Sequence, residues 1–270
     1  MPTLQLGARD AVSYDDTGGP GPLVVLVHGS PGISRVWQPV TERLAPRFRV
    51  VAPNLPGYGG TTPPPAEAPG DSSYAAGLIE ALVATAGEPA VLAGHSYGGV
   101  VALQTTLRGR IAPRALALFE PVAVPVLDAI GDAEAFASTQ ALFEDYRGAF
   151  AGGDREAARR MVEFWFGAGV FEQMPSSARE FLIAHTPHNL RDIGATFRDR
   201  YSLDALGRLT MPVLVAVGSR SPDVTSHIAR ALVAHVARGE MRTVEKANHA
   251  LTTTHPDAVA ALISELAGRV

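Results

Sequence analysis

Gly94-His95-Ser96-Tyr97-Gly98 lies between two stretches of different character. Before it, Ala90-Val91-Leu92-Ala93 is an apolar run of strand length. After it, residues 100–107 read Val-Val-Ala-Leu-Gln-Thr-Thr-Leu, a helical pattern. A serine inside G-x-S-x-G at such a strand-to-helix turn sits on strained backbone with its hydroxyl lifted above the sheet. Glycines at 94, 98 and 99 suit a bend that crowds its neighbours. An ordinary glycine-rich turn carries the same letters, so the surrounding chain has to decide between them.

Working outward, strand-like runs at 3–6, 11–15, 23–27, 49–52, 90–93, 115–119, 212–217 and 241–244 alternate with helical patterns. The helices are expected at 34–44, from Asp71 or Ser72 to 86, and at 98–107, 224–237 and 257–266. That alternation predicts an α/β chain: a mostly parallel central sheet of about eight strands with helices on both faces. Between 124 and 206 the strand signals stop. Phe136, Phe143 and Phe150 recur every seven residues, Met161, Phe164 and Trp165 mark a second helix, and Ile193 and Phe197 a third. An all-helical lid inserted after the sixth strand is expected there. The domain division is therefore 1–122 with 207–270 as the core, and 123–206 as the cap.

Composition narrows the function classes. Apolar residues make up 46% of the 270 and charged residues 19%, enough to build a core. The net charge of −4 lacks the basic footprint of a nucleic-acid binder. With no cysteine there is no disulfide, no thiolate nucleophile and no Cys-ligated zinc. The first residues show no secretory signal, and the apolar runs are too short to span a membrane, so a cytoplasmic location is expected. The expected partner is a small molecule, with neither nucleic acid nor a membrane span, and with a homodimer left open. No cofactor and no metal is expected.

With these pieces in place the chain resembles, over nearly its whole length, the α/β-hydrolase fold superfamily. His28-Gly29-Ser30-Pro31-Gly32 is similar to that superfamily's oxyanion loop, and 52–59, Ala-Pro-Asn-Leu-Pro-Gly-Tyr-Gly, to its loop after the next strand. Position 54 is usually Asp there; here it is Asn. Ala247-Asn248-His249 is similar to the histidine loop before the last helix.

The chemistry matches these parts. A serine hydroxyl is a poor nucleophile unless a base takes its proton, and imidazole suits that task near neutral pH. Ser96 is the expected nucleophile and His249 the base. The backbone N–H groups of Tyr97 and Ser30 are the expected oxyanion donors, Tyr97 with a helix dipole behind it. For the acid, the resemblance points just beyond the strand ending at Gly218, but Ser221 occupies the expected carboxylate position. Glu120, terminating a buried apolar strand, is the preferred acid, because members such as haloalkane dehalogenases keep theirs there; Asp223 stays open as the alternative, as does neither.

His28 and His95 read as structural, and His227, His235 and His255 as surface or helix-terminal. His185 and His188 lack a third metal ligand. Of the 18 aromatic residues 11 fall in the helical stretch, which suggests an apolar pocket, and Gly29, Trp37, Phe164 and Trp165 are the expected substrate contacts. The expected reaction is hydrolysis of a carboxylic ester, or related acyl compound, of a small apolar substrate through an acyl-enzyme. The alternative is a fold that binds without turnover, or serves as a lyase, cyclase or acyltransferase.

Overall fold

In a computed structural model, which describes residues 2–6 and 10–270, the strands are β1 (Thr3–Leu6), β2 (Asp10–Asp16), β3 (Leu23–Val27), β4 (Arg49–Pro53), β5 (Val91–His95), β6 (Ala115–Phe119), β7 (Val213–Gly218) and β8 (Gly239–Val244). They form one sheet in the order β1-β2-β4-β3-β5-β6-β7-β8. The pairs β1·β2 and β2·β4 are antiparallel and every later pair is parallel.

Outside the stretch between β6 and β7 the helices are α1 (Gln38–Leu44), entered through a 3₁₀ turn at Ser34–Trp37, α2 (Ser73–Ala86) and α3 (Tyr97–Leu107). Between β6 and β7 run α4 (Pro125–Ile130), α5 (Ala133–Ala151), α6 (Arg159–Phe166), α7 (Val170–Gln173), α8 (Ser176–Ala184), α9 (Thr186–Arg198) and α10 (Leu203–Gly207). After β7 come α11 (Asp223–His235), α12 (Leu251–Thr254) and α13 (Pro256–Ala267). Among the described residues no helix is long and apolar enough to cross a membrane.

A strand covered on both faces needs apolar side chains in both directions, and Leu-Val-Val-Leu-Val in β3 supplies them; all five are buried. Val25 and Val27 join the core beneath α2, α3 and α11. Val24 and Leu26 point the other way and pack with α1 and α13. Within the helical stretch, Phe136 and Phe143 lie against Phe197, Phe143 stacked at 5.3 Å, which accounts for the seven-residue spacing. Phe150, the third member of that series, is exposed.

The chain order creates the site. From β3 it steps to β4 on one side, then returns to β5 on the other. Loops leaving the carboxyl ends of β3 and β5 therefore diverge, and the gap between them is where such sheets hold ligands.

Candidate active site

Ser96 follows the carboxyl end of β5 and begins α3 with φ 55° and ψ −123°, a region that non-glycine residues avoid. The bend is tight enough that a methyl group on Gly94 would lie 2.2 Å from the Gly98 carbonyl oxygen. One on Gly98 would lie 2.3 Å from the carbonyl oxygens of Val27 and His28. Only hydrogen fits at either place, which is the physical content of the motif. Glu120, directly after β6, is likewise held at positive φ, 50°.

His249 arrives from the loop after β8. Its Nε2 is 3.0 Å from Ser96 Oγ and its Nδ1 is 3.1 Å from Glu120 Oε2. A carboxylate only accepts, so Nδ1 carries the proton and Nε2 is left to accept from the serine hydroxyl. The other carboxylate oxygen of Glu120 accepts from the Gly218 N–H at 2.5 Å and from Ser221 Oγ at 2.7 Å. Glu120 is fully buried, and those donors with His249 satisfy it. Ser221 thus stands beside the carboxylate as a hydrogen-bond donor. Asp223 is exposed at the start of α11, and no hydrogen bond or ion pair joins it to His249.

Two further histidines brace the loops. His95 Nε2–H donates to the His249 carbonyl at 2.8 Å. Burial, helped by the neighbouring His249, pushes the pKa of His95 down to about 3, so it stays neutral. His28 Nδ1–H donates to the Gly29 carbonyl at 2.7 Å while its Nε2 accepts from the Leu55 N–H at 2.9 Å; burial lowers its pKa to about 4. In a planar trans peptide the N–H points opposite the C=O. Holding the Gly29 carbonyl therefore fixes the direction of the Ser30 N–H. Gly29 itself lies against the nucleophile: a methyl group there would be 3.0 Å from Ser96 Cβ. Tyr97 opens α3, where first-turn N–H groups have no partner within the helix.

Above these residues is a cavity of about 370 Å³. Gly29, Ser30, Ser96, Tyr97 and His249 line one side, and helices α5, α6, α8 and α9 supply side chains such as Phe143, Met161, Trp165 and Leu182. Trp165 stacks on the His249 ring at 4.4 Å with 24° between planes.

Two expected contacts belong elsewhere. Trp37 is fully buried on the opposite face of the sheet, edge-on to Phe119 at 6.1 Å among the residues packed by α1 and α13. It sits in a four-residue 3₁₀ turn, too short for any periodicity to show which way it points. Phe164 packs against the core, edge-on to Trp165 at 4.7 Å, and does not line the cavity. Successive helical residues point about 100° apart, and here Trp165 and Phe166 face the cavity while Phe164 turns toward the core. His185 Nδ1–H donates to the Phe181 carbonyl, its ring stacked on Tyr58.

Sequence reasoning passed over Tyr58, Asn189 and Asp192. Asp192 is buried on α9, where its carboxylate accepts from Ser30 Oγ at 2.7 Å and from Tyr58 Oη at 2.9 Å. The signal was present: Asn189, Asp192 and Thr196 share one helical face with Ile193, and polar residues on a core-facing stripe need partners.

Comparison with known proteins adds four findings. The model described as "Alpha/beta hydrolase family" matches residues 24–262. A pimeloyl-[acyl-carrier protein] methyl ester esterase of Xanthomonas campestris pv. campestris is 31% identical over 261 residues, covering 91% of this chain and 94% of that protein. An uncharacterized protein of Mycobacterium tuberculosis is 40% identical over 107 residues, but that match spans 38% of this chain and only 30% of the relative. Among solved structures, an alpha/beta hydrolase from Sphaerobacter thermophilus superposes with a TM-score of 0.74 at 23% identity, over 98% of this chain and 99% of that one.

Proposed function

The chain belongs to the alpha/beta hydrolase family, and from that premise we propose that it is a serine hydrolase cleaving carboxylic esters of small apolar substrates through an acyl-enzyme. The observation that carries the reading is the relay of Ser96 Oγ, His249 and Glu120 at 3.0 and 3.1 Å. Ser96 Oγ attacks the ester carbonyl carbon while His249 Nε2 takes its proton. Glu120 holds the ring in the tautomer that accepts and stabilises the imidazolium that forms. The carbonyl oxygen, now an anion, is met by the Tyr97 and Ser30 amides, donors worth roughly 3–4 kcal/mol each in such sites. The intermediate collapses, the C–O bond breaks, and the departing alcohol takes the proton from Nε2. Water then repeats the sequence on the acyl-enzyme and releases the acid.

The cavity supports the substrate class. At about 370 Å³ with mostly apolar lining, it suits a small acyl or aromatic group. The name of the Xanthomonas relative, a methyl ester esterase, agrees with an ester as the bond broken. In this reading residues 123–206 act as the cap that closes over the acyl group, and Asp223 takes no part.

A fluorophosphonate probe with mass mapping tests the proposal. Covalent labelling at Ser96, lost in His249→Ala, is expected, together with turnover of short p-nitrophenyl esters. A folded, unlabelled protein that still binds small molecules would overturn it in favour of binding without turnover.

A further inference from the structure

We propose that Asp192 is a positioning residue for this reaction: from helix α9 it holds the Ser30 side chain and so fixes the loop that supplies the second oxyanion donor. The inference rests on the hydrolase reading above and extends it to residues the triad does not use.

The peptide joining Gly29 and Ser30 is held from two directions. On one side His28 Nδ1–H fixes the Gly29 carbonyl. On the other, Ser30 Oγ donates to Asp192 Oδ2 at 2.7 Å and accepts from Asn189 Nδ2 at 3.1 Å. Tyr58 Oη, from the loop after β4, donates to the same carboxylate oxygen at 2.9 Å. Ser30 and Asp192 are 162 positions apart, so the contact ties the helical stretch to the loop beside the nucleophile.

Counting protons shows what the carboxylate does. Ser30 and Tyr58 each have one hydroxyl proton, and their oxygens are 2.9 Å apart. With Asp192 ionised, both protons go to it and the serine is locked in a single rotamer. With Asp192 protonated at Oδ2, a third hydroxyl proton enters the same triangle, so the three can no longer all converge on that oxygen and Ser30 loses the lock. Burying a carboxylate is expensive, and an apolar side chain would fill the place at lower cost. What the charge supplies is direction. The groups facing it are Ser30 and Tyr58 from two core loops, Tyr97 from α3, Arg191 beside it at 3.5 Å, and Asp71, Tyr74 and Arg198 around a smaller cavity behind. Burial raises the Asp192 pKa to about 6 against the pull of those hydrogen bonds and Arg191.

The test is a double-mutant cycle on ester hydrolysis, with thermal unfolding to check each fold. Asp192→Leu, which removes the acceptor, is expected to lower kcat by about 10- to 100-fold with KM nearly unchanged, because a donor displaced by a fraction of an ångström acts on the transition state. Ser30→Ala, which keeps the backbone amide, should lose a comparable factor, and the double variant should be no worse than the poorer single. Wild-type kcat in Asp192→Leu, or single losses that multiply, would overturn the proposal. Should Asp192→Leu not fold, Tyr58→Phe carries the test: a several-fold loss in kcat at constant KM supports it, and unchanged kcat overturns it. The two readings separate cleanly. A wild-type chain that is neither labelled nor active sinks the hydrolase and Asp192 together; an active one with an additive cycle sinks Asp192 alone.

Discussion

The floor of the pocket, at the carboxyl edge of the sheet, and its roof, the helices between β6 and β7, are held by different forces. On the floor the reacting groups hang on main chain. Ser96 and Glu120 directly follow paired strands, and the Ser96 N–H bonds the Phe119 carbonyl at 3.0 Å. Gly94 and Gly98 admit no side chain. The roof rests on side-chain contacts: a small cluster around Tyr146, Ala157 and Ala158, the stacked phenylalanines, and ion pairs such as Arg160 with Asp145 and Asp154. Exposed pairs of that kind contribute little. Chemistry needs atoms placed to a fraction of an ångström, and ladders of backbone hydrogen bonds supply that. Holding an apolar group needs only volume, which packed helices supply.

The largest expected effect strikes the floor. Ser96→Ala or His249→Ala should each lower ester turnover by about 10⁴-fold or more while leaving thermal unfolding almost unchanged, since triad members act as a unit. Activity that survives Ser96→Ala would place the chemistry elsewhere in the cavity. Next comes the acid. Glu120→Gln keeps the shape but loses the charge that selects the tautomer, and about 10³- to 10⁴-fold in kcat should go with it. Asp223→Asn, at an exposed position, should stay within about twofold of wild type, the usual outcome for a surface side chain with no special role. The reverse ranking of these two variants would reassign the acid.

The two tryptophans carry the comparison into packing. Trp37, buried beneath the sheet, should cost about 3–5 kcal/mol of stability as Trp37→Ala, read from urea unfolding. Trp165→Ala should leave stability closer to wild type but reduce kcat/KM for aromatic esters by about 10-fold, as the stack on His249 and a pocket wall are lost. If Trp37→Ala instead changed the preference among esters at constant stability, the assignment of faces would be wrong.

These same residues mark how far the sequence could be read. The sheet was legible because each buried strand is a short apolar run bounded by turn residues, a purely local signal. So was the bend at Ser96, whose glycines answer contacts within a few residues. Glu120 was legible only as a choice, since its bonds to Gly218 and Ser221 join segments about a hundred residues apart. Trp37 and Phe164 misled because aromatic content gives no direction, and a 3₁₀ turn or a pair of adjacent residues has no period to supply one. Asp192 was passed over for a related reason. In an amphipathic helix a polar residue ordinarily means solvent, and its partners Ser30 and Tyr58 stand more than 130 positions away.

The finest test is pH, because buried histidines and buried aspartates bind protons in opposite sense. His28 and His95, both on the floor, are held neutral by burial, with pKa values down at about 4 and about 3 from an ordinary 6.5. Below pH 6.5 the unfolded chain binds protons there that the fold refuses, so acid weakens the fold. Asp192 and Asp199, both on the roof side, are raised by burial from 3.8 to about 6. Between those values the folded chain keeps a proton that the unfolded one has released, so acid strengthens it. The two kinds oppose one another, so unfolding free energy should change less between about pH 4.5 and 5.5 than the histidines alone would dictate. Asp199 accepts from both the N–H and the hydroxyl of Ser72 just before α2. Asp199→Asn keeps an oxygen to accept from them but holds no titrating proton, so it should steepen that pH dependence. The added slope is about one proton, or about 1.4 kcal/mol per pH unit, with stability falling toward acid. Urea midpoints at pH 4.5 and 5.5 measure it. A variant that loses stability equally at both would show that Asp199 gains no proton in the folded chain, leaving the histidines opposed by Asp192 alone.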